Sequence, residues 1–488
     1  MDFVTTIYCL ILLYGGHLLY CLLIKDRLFE QQHGCEPPPE LPTRWPFGLD
    51  RIKERWTSNA EGQLLAFLCS VAEHYEPGNS LSQYLLLGPR AFHVLRPENV
   101  DAILSTNSKV QKGNPNLLSS HKTIIVLRLW LGARREIFAP LLGNGIFTQE
   151  GPAWKHSRYL IGRQFSQIKT RSLEHFREHV DNLIARLPLN VVIDLQPLFS
   201  DLTLDITTAL VFGKSVYSLK ADVNQDSDNK LFAKRFNIAQ QGLAKRFRMA
   251  TFHWLYNPPR FRRACADVHR FVEQYIGSLK IDSSTEPNNN EAYSFIKQIA
   301  QETVRKTDIR DQLLNVLLAG RDTTACCLSW MIRFLVLHEH VMCRLRDEIS
   351  SIMGRSGYPT RDQVRRMAYL DCVIKETLRL YPPVPLNNRE AKETTILPTG
   401  GGETASSPIL VRKRELVVFS QYVNSRKKNI YGPDADIVRP ERWETGELDL
   451  IGWAYFPFNG GPRQCLGKDF ALTQVKYTAV RLLQTFPT

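Results

Sequence analysis

Several common functional signatures are missing from this sequence. Its 10 cysteines include no CxxC pair, so neither a zinc site nor a disulfide framework is indicated. The chain contains no glycine-rich dinucleotide fingerprint and no phosphate-binding Walker loop. It shows no internal repeat and no long flexible linker after its N-terminal segment. These absences exclude a repeat protein and a small disulfide-stabilised domain, and they favour one large globular domain.

Acidic residues are too few to balance the basic ones, and the net charge is +13. Such an excess is compatible with nucleic acid, anionic lipid or an acidic protein partner. No basic run is dense enough to indicate nucleic acid, which we therefore do not expect as a partner. Membrane lipid and an acidic partner protein remain.

Charged residues are also absent from Phe3 to Ile24, a stretch long enough as a helix to cross a hydrocarbon core about 30 Å thick. We interpret residues 3–24 as a transmembrane anchor. A cleaved signal peptide is the alternative, but no basic segment precedes the stretch and no small-residue cleavage site follows it. Lys25 and Arg27, set against the acidic Asp2, predict that the following domain faces the cytosol.

A charged, proline-rich linker at residues 25–42 separates this anchor from a domain at residues 43–488. Its CEPPPELP segment favours a stiff extended chain that would act as a spacer. Helical periodicity dominates from about Glu150 to Leu380, whereas strand-like segments lie only near Tyr84, Ala91 and Glu415. The predicted fold is mainly α with a minor β-sheet.

The sharpest motif is FNGGPRQCLG, from Phe458 to Gly467, which leads into a helix-like segment. Gly460, Gly461 and Gly467 permit a tight turn whose N–H groups approach the Cys465 sulfur, and the following helix adds its positive dipole end. Phe458 can shield the sulfur from water. These features suit a metal-binding thiolate. For an isolated cysteine, a buried structural role would be the better interpretation.

A second motif, AGRDTT, interrupts an otherwise apolar helix-like segment. It places Asp322, Thr323 and Thr324 where a buried carboxylate or hydroxyl is costly, and such residues usually have a reason to be there. The alternative is that Thr323 bonds back to its own helix and Asp322 pairs with Arg321 or Arg333 at a surface.

Two further motifs place charged side chains on one helix face. Glu376 and Arg379 of ETLR are three residues apart, and Trp154 and Arg158 of WKHSR are four apart. A later PERW segment supplies Arg442. Each of these charges alone would fit a solvated surface.

Taken together and in this order, the motifs resemble those of the cytochrome P450 family. The resemblance implies the cytochrome P450 fold, with haem b held between a long central helix and the cysteine loop. It implies that Cys465 is the axial iron ligand, that Phe458, Gly460 and Gly467 shape its loop, and that Asp322 and Thr323 deliver protons with Thr324 in support.

The same resemblance assigns two sets of supporting residues. Glu376, Arg379 and Arg442 would form a structural network that holds the cysteine loop in place. Four side chains would bind the haem propionates, namely Trp154, Arg158, Arg389 of PLNNRE and Arg463 of PRQC.

The family's reaction inserts one atom of dioxygen into a C–H bond. The resemblance implies that NADPH supplies the electrons through NADPH-cytochrome P450 reductase, with cytochrome b5 as a further partner and the endoplasmic reticulum membrane as the location. Lys155, Arg163, Arg463 and Lys468 would suit an acidic flavoprotein surface, or they are simply solvated.

The residues of several motifs are similar to those of the fungal microsomal hydroxylases of n-alkanes and fatty acids. Terminal hydroxylation of such a chain is the first expectation, and oxidative tailoring of a fungal secondary metabolite is an alternative. A haem-thiolate isomerase or dehydratase is a rival that would generally lack the acid-alcohol pair.

Two segments depart from the family's pattern. The run from Asn114 to Arg135 is apolar and β-branched where the subfamily has a short polar approach, so we expect an atypical local fold there. The chain ends at Thr488, close to the helix that follows Cys465, and we expect the family's terminal strands to be missing. An inactive haem-binding membrane protein is therefore an alternative from another functional class.

Overall fold

A computed structural model of the chain describes most of its length. The described residues are 16, 20–74, 80–84, 89–105, 129–168, 173–220, 227–278, 295–302, 305–354 and 357–486. Most of the expected anchor, the loop expected near Ser284 and most of the atypical Asn114–Arg135 run lie outside these residues. The part of the Asn114–Arg135 run that the structure describes forms a short strand and the start of a helix.

The chain divides into two compact units. The first unit comprises Met1–Gly132, Pro385–Ala435 and Ile451–Gln464, and the second comprises Ala133–Val384, Asp436–Leu450 and Cys465–Thr488. Each unit is assembled from three separate stretches of sequence. The boundary between the two units therefore does not coincide with a single linker in the sequence.

The first unit contains the described β-strands, which form two sheets. The larger sheet has the order β1-β2-β7-β4-β3, with β2 and β7 parallel and the other neighbours antiparallel. β5 and β6 form a separate antiparallel pair. The strands are β1 (Leu81–Tyr84), β2 (Arg90–Val94), β3 (Leu129–Trp130), β4 (Leu386–Ala391), β5 (Thr395–Gly401), β6 (Ser407–Val411) and β7 (Leu416–Ser420).

Six described α-helices accompany these sheets in the first unit. They are α1 (Asp26–Gln32), α2 (Leu49–Ala60), α3 (Leu64–His74), α4 (Pro97–Leu104), α16 (Gln421–Asn424) and α17 (Lys428–Tyr431). The buried core joins apolar side chains of β2, α4, β6 and β7, among them Phe92, Ile103, Val411 and Phe419. This packing places the carboxyl end of α4 against the loop that precedes the cysteine.

The proline-rich segment forms backbone hydrogen bonds within the first unit. Leu41 N–H donates to the Ser82 carbonyl at 2.9 Å, and Ser82 N–H donates to the Pro39 carbonyl at 2.9 Å. Glu36 N–H donates to the Pro408 carbonyl at 2.9 Å. An extended chain presents its backbone groups outward, so the conformation that proline favours also lets this segment bond to a strand.

The membrane anchor expected at residues 3–24 is described only at Gly16 and from Tyr20 onward, where a short π-helix, Tyr20–Lys25, precedes α1. Among the described helices, no single one is long and apolar enough to cross a bilayer. One pair, Lys306–Leu337 and Glu339–Met353, passes by length and composition together, with a bend of 109° between the two helices.

In the described residues of the second unit, the regular secondary structure is helical. Its helices are α5 (Arg134–Leu142), α6 (Gly151–Ile168), α7 (Glu174–Arg186), α8 (Leu195–Phe212), α9 (Ser227–Met249), α10 (Pro259–Ser278), α11 (Phe295–Glu302), α12 (Lys306–Leu337), α13 (Glu339–Met353), α14 (Arg361–Arg366), α15 (Ala368–Leu380) and α18 (Lys468–Thr485). Short 3-10 turns add to them, including Pro440–Trp443.

The 32-residue helix α12 organises the second unit. At 1.5 Å per residue it is about 48 Å long, and apolar residues such as Leu313, Leu317 and Leu328 are buried along it. α8 packs along α12, and close approach is possible where Gly320 meets Thr207. The mainly helical fold with minor sheets is therefore confirmed, and α6, α12 and α13 match the segments with the strongest helical periodicity.

Candidate active site

The loop before the cysteine needs glycine at two positions because other chain segments approach it closely. Gly461 has φ +60°, and a Cβ atom there would collide with the Leu104 carbonyl at the end of α4. A Cβ atom at Gly460 would collide with the Trp453 ring. Phe458, two residues earlier, is half-buried. The glycines thus let the first unit hold this loop against α4 and Trp453.

Cys465 lies three residues before α18 and retains exposed surface. The Gly467 backbone N–H donates to its sulfur. Desolvation raises the pKa of the Cys465 thiol, whereas the Gly467 N–H and the positive charges of Arg158 and Lys468 act in the opposite direction. Burial has the larger effect, so the pKa of the thiol is raised, and the donor and the two charges reduce that rise.

Other described cysteines have a different environment. Burial raises the pKa of Cys265 and of Cys327 to about 12, so both remain neutral thiols at physiological pH. Cys327 is buried on α12, and its pKa is raised further by the neighbouring Cys326. Cys265 and Cys327 therefore behave as small apolar residues with an unreactive thiol.

Helix α6 brings Trp154 and Arg158 together, as their spacing predicted. The Arg158 guanidinium lies 5.8 Å from the centroid of the Trp154 ring. Burial lowers the pKa of Arg158, and its proximity to Cys465 raises it. An always-charged guanidinium beside an aromatic N–H donor is suited to a carboxylate of a bound group.

Arg389 and Arg463 belong to the first unit. Arg389 lies in β4 with only 6% of its surface exposed, and it donates to the Asn388 carbonyl at 2.8 Å and to Asn387 Oδ1 at 3.1 Å. Its guanidinium lies 5.6 Å from the Phe419 ring centroid. Arg463 ends the short turn Gly461–Arg463 and is half-buried.

On α12, Asp322 and Thr323 point in different directions. The Thr323 hydroxyl donates to the Ala319 carbonyl of its own helix at 2.7 Å. The Asp322 side chain is 55% exposed, accepts a hydrogen bond from Gln240 Nε2 at 2.8 Å, and lies 3.7 Å from Arg321. The contacts with the helix backbone and with Arg321 are those that the sequence argument gave as the structural alternative for the two residues, and the role of the pair in proton delivery stays a prediction.

Glu376, Arg379 and Arg442 form one buried network in the second unit. The Glu376 carboxylate accepts two hydrogen bonds from Arg379, both at 2.8 Å, and one from Arg442 at 3.1 Å. All three side chains are at most 1% exposed. The network includes a member that the sequence argument missed, since the Trp443 indole N–H also donates to Glu376 at 3.0 Å. The position of Trp443 next to Arg442 in the sequence could have indicated this contact.

A comparison with models of known protein families gives the chain its family. The cytochrome P450 family model matches residues 133–488. This chain belongs to the cytochrome P450 family. It is a monooxygenase by that membership, and the family acts on a substrate with O2 and electrons from a redox partner.

Named relatives of this cytochrome P450 are fungal. A cytochrome P450 from Arthroderma benhamiae is 43% identical over 472 residues, which cover 95% of this chain and 87% of that protein. Cytochrome P450 monooxygenase g430 from a Fusarium species is 36% identical, covering 96% of this chain and 84% of the relative. Cytochrome P450 52A5 from Candida maltosa is also 36% identical, covering 96% and 88%.

The fold of this cytochrome P450 has a solved counterpart as well. The crystal structure of the cytochrome P450DA heme domain superposes with a TM-score of 0.74 over 92% of this chain and 91% of the other. The two sequences are only 18% identical, so this likeness shows the shared fold alone.

The residues around Cys465 fit the haem that the family implies. A single cysteine whose sulfur accepts a backbone N–H bond, with two cations near it, has the chemistry of an axial thiolate ligand. Within the described residues no group of three or more His, Cys, Asp or Glu side chains could hold a metal ion. A porphyrin-bound iron needs only the one protein ligand that Cys465 offers.

Proposed function

We propose that this protein hydroxylates a hydrophobic chain, a fatty acid or an n-alkane, at or near its end. One atom of O2 enters the C–H bond and the other leaves as water, and NADPH supplies the two electrons through a reductase. The position of Cys465 carries the proposal: it lies three residues before α18, and the Gly467 N–H, Arg158 and Lys468 offset part of the rise in pKa that burial imposes on its thiol. When bound, thiolate-ligated haem supplies the cleavage of the O–O bond.

The propionate side of the haem is assigned to tryptophan and arginine side chains. Trp154 and Arg158 share one face of α6, and Arg158 is close enough to Cys465 for the two charges to interact. The family resemblance assigns the same role to Arg389 and Arg463. Guanidinium groups suit it because they hold their charge when partly buried and can bond a carboxylate at two points.

Proton delivery is assigned to Thr323 and Asp322, with Thr324 as a supporting hydroxyl. The bond from Thr323 to the Ala319 carbonyl fixes the hydroxyl orientation, and its oxygen still has acceptor capacity. Asp322 is exposed enough to exchange protons with solvent, and Gln240 holds it in place. In this assignment Asp322 connects to solvent and Thr323 offers the hydroxyl on the reaction side.

Replacing Thr323 with valine tests that assignment. Valine preserves the branched shape but removes the hydroxyl, so we expect product formation to fall about 10²-fold, as when a positioned proton donor is lost. NADPH consumption should fall much less, and the ferrous carbonyl spectrum should stay unchanged. Ser329→Ala, which removes an equivalent hydroxyl-to-carbonyl bond elsewhere on α12, is the matched control. Equal product yields from Thr323→Val and wild type would contradict the assignment.

Fungal relatives with cytochrome P450 52 names support the substrate class, because the motifs also resemble those of fungal alkane and fatty-acid hydroxylases. The test is spectral titration of the haem-loaded protein with fatty acids, n-alkanes and polycyclic compounds, followed by product analysis. We expect linear chains to bind and to be hydroxylated near the end, only with NADPH, O2 and reductase present. Selective binding of polycyclic compounds would instead favour secondary-metabolite tailoring, and turnover without NADPH would indicate an isomerase or dehydratase.

We also propose NADPH-cytochrome P450 reductase, with cytochrome b5 as a second donor, as electron partners at the cytosolic face of the endoplasmic reticulum membrane. The exposed side chains Lys155 and Lys468 support an acidic partner surface. Arg163 is less available because it forms an ion pair with Glu302. Reduction by reductase should slow steeply with added salt, since exposed charge pairs are screened within about 8 Å at physiological ionic strength.

A further inference from the structure

Three polar residues of α12 face a loop that the sequence argument did not single out. Asp311, Gln312 and Asn315 are at most 5% exposed, and they lie on one side of an otherwise apolar stretch. Buried polar groups are costly unless they are hydrogen-bonded. Their partners lie in and around residues 143–149, the loop that connects α5 to α6.

Asn315 and Asp311 bind the backbone of this loop. The Asn315 side-chain oxygen accepts from Phe147 N–H at 3.0 Å, and its amide donates to the Leu142 carbonyl at 3.0 Å. Asp311 accepts from Asn144 N–H at 2.7 Å. Because these bonds go to main-chain atoms, they fix the path of the loop backbone directly.

Two glycines make this approach possible. A Cβ atom on Gly143 would collide with the Asp311 carboxylate, and one on Gly145 would collide with the Asn315 amide. Gly143 also has φ +54°, whereas Gly145 has no left-handed backbone. At Gly145 the requirement for glycine is therefore purely one of space, which makes it a clean position for a test.

A further bond links α12 to α6 itself. Gln312 Nε2 donates to the Ser157 hydroxyl at 2.6 Å, and that hydroxyl donates to the Gln149 side chain at the end of the loop. Ser157 directly precedes Arg158 on α6. The same rigid helix thus holds both the loop that enters α6 and the turn that carries Trp154 and Arg158.

We propose that Asp311 and Asn315 are positioning residues, which clamp the loop 143–149 to α12 and thereby set where Trp154 and Arg158 stand relative to Thr323 on that helix. Asn315 and Thr323 are about 12 Å apart along α12. The same helix therefore carries both the residues that hold the loop and the Thr323 hydroxyl. The expected effect on haem binding rests on the proposed role of Trp154 and Arg158. The attachment of the loop to α12 does not depend on that role.

Gly145→Ala and Asn315→Ala, alone and combined, test the proposal. Each single variant should release haem about tenfold faster than wild type, because a buried bond or its geometry is lost. In the Asn315→Ala background, Gly145→Ala should add little, since the colliding amide is gone. Hydrogen exchange of the Phe147 amide in the haem-free protein should accelerate with Asn315→Ala.

The control for general destabilisation is Ile349→Ala, a buried residue of α13 away from the loop. It should lower the thermal midpoint and leave the rate of haem release unchanged. Independent effects of Gly145→Ala and Asn315→Ala would overturn the clamp. Faster Phe147 exchange without faster haem release would overturn its role in haem positioning. A wild-type protein without a thiolate-type ferrous carbonyl spectrum would instead contradict the proposed function, and the exchange result would still judge the clamp.

Discussion

Replacing Cys465 with serine is expected to abolish substrate oxidation and the thiolate-type ferrous carbonyl spectrum. A serine hydroxyl stays protonated in surroundings that stabilise a thiolate, because its pKa is far higher than that of a thiol. The Gly467 N–H, Arg158 and Lys468 would then have no anion to stabilise. The measurement is the reduced, carbon-monoxide difference spectrum together with product formation by the reconstituted enzyme.

Cys343→Ser is the matched control for this experiment. Cys343 is a free and exposed cysteine on α13, and its replacement should leave both the spectrum and the activity unchanged. Circular dichroism of the Cys465→Ser protein should retain the helical signal, which separates loss of the ligand from loss of the fold. A Cys465→Ser protein with an unchanged thiolate-type spectrum would rule out Cys465 as the iron ligand.

Removing the Glu376 carboxylate should have the largest effect on stability. Glu376→Ala removes the buried carboxylate to which the fully buried guanidinium groups of Arg379 and Arg442 both donate. Truncating one partner of a buried ion pair costs about 3–5 kcal/mol, since the remaining charge cannot be solvated. Urea unfolding of the purified protein, extrapolated to water, measures the change in the free energy of unfolding.

Glu444→Gln provides the comparison for an exposed pair. Glu444 binds Arg344 at 2.6 Å, but their side chains are 35% and 48% exposed, so the expected cost is about 0–1 kcal/mol. If Glu376→Ala yields no soluble protein, Glu376→Gln keeps one acceptor oxygen for Arg379 and should show an intermediate loss. Equal stabilities of the Glu376 and Glu444 variants would mean that burial of the network has no energetic importance.

Contacts within one helix followed from residue spacing. Glu376 and Arg379 meet because positions three apart share a helix face, and the same geometry pairs Trp154 with Arg158. The addition of Arg442 to Glu376, 66 positions along the chain, required the family resemblance or the structure. No periodicity in a sequence predicts which distant turn will supply a third charge.

Several short strands could not be predicted from local sequence. β2 and β7 are apolar and were predicted, whereas β4 has the polar sequence LNNREA and β5 contains proline and glycine. Such segments form strands because their neighbours offer unpaired backbone groups at the right register. For the same reason the proline-rich segment binds the Ser82 backbone instead of standing apart.

The motif residues and the helices that carry them could be read from the chain, because metal-ligand chemistry and helical periodicity depend on residues close together in sequence. The partner of Asp322 could not, since Gln240 belongs to α9 and reaches Asp322 only in the folded chain. The clamp of Asp311 and Asn315 on a loop more than 160 residues earlier is likewise a product of packing. Gly143 and Gly145 permit the approach, but they do not identify the distant residues that bond to this backbone.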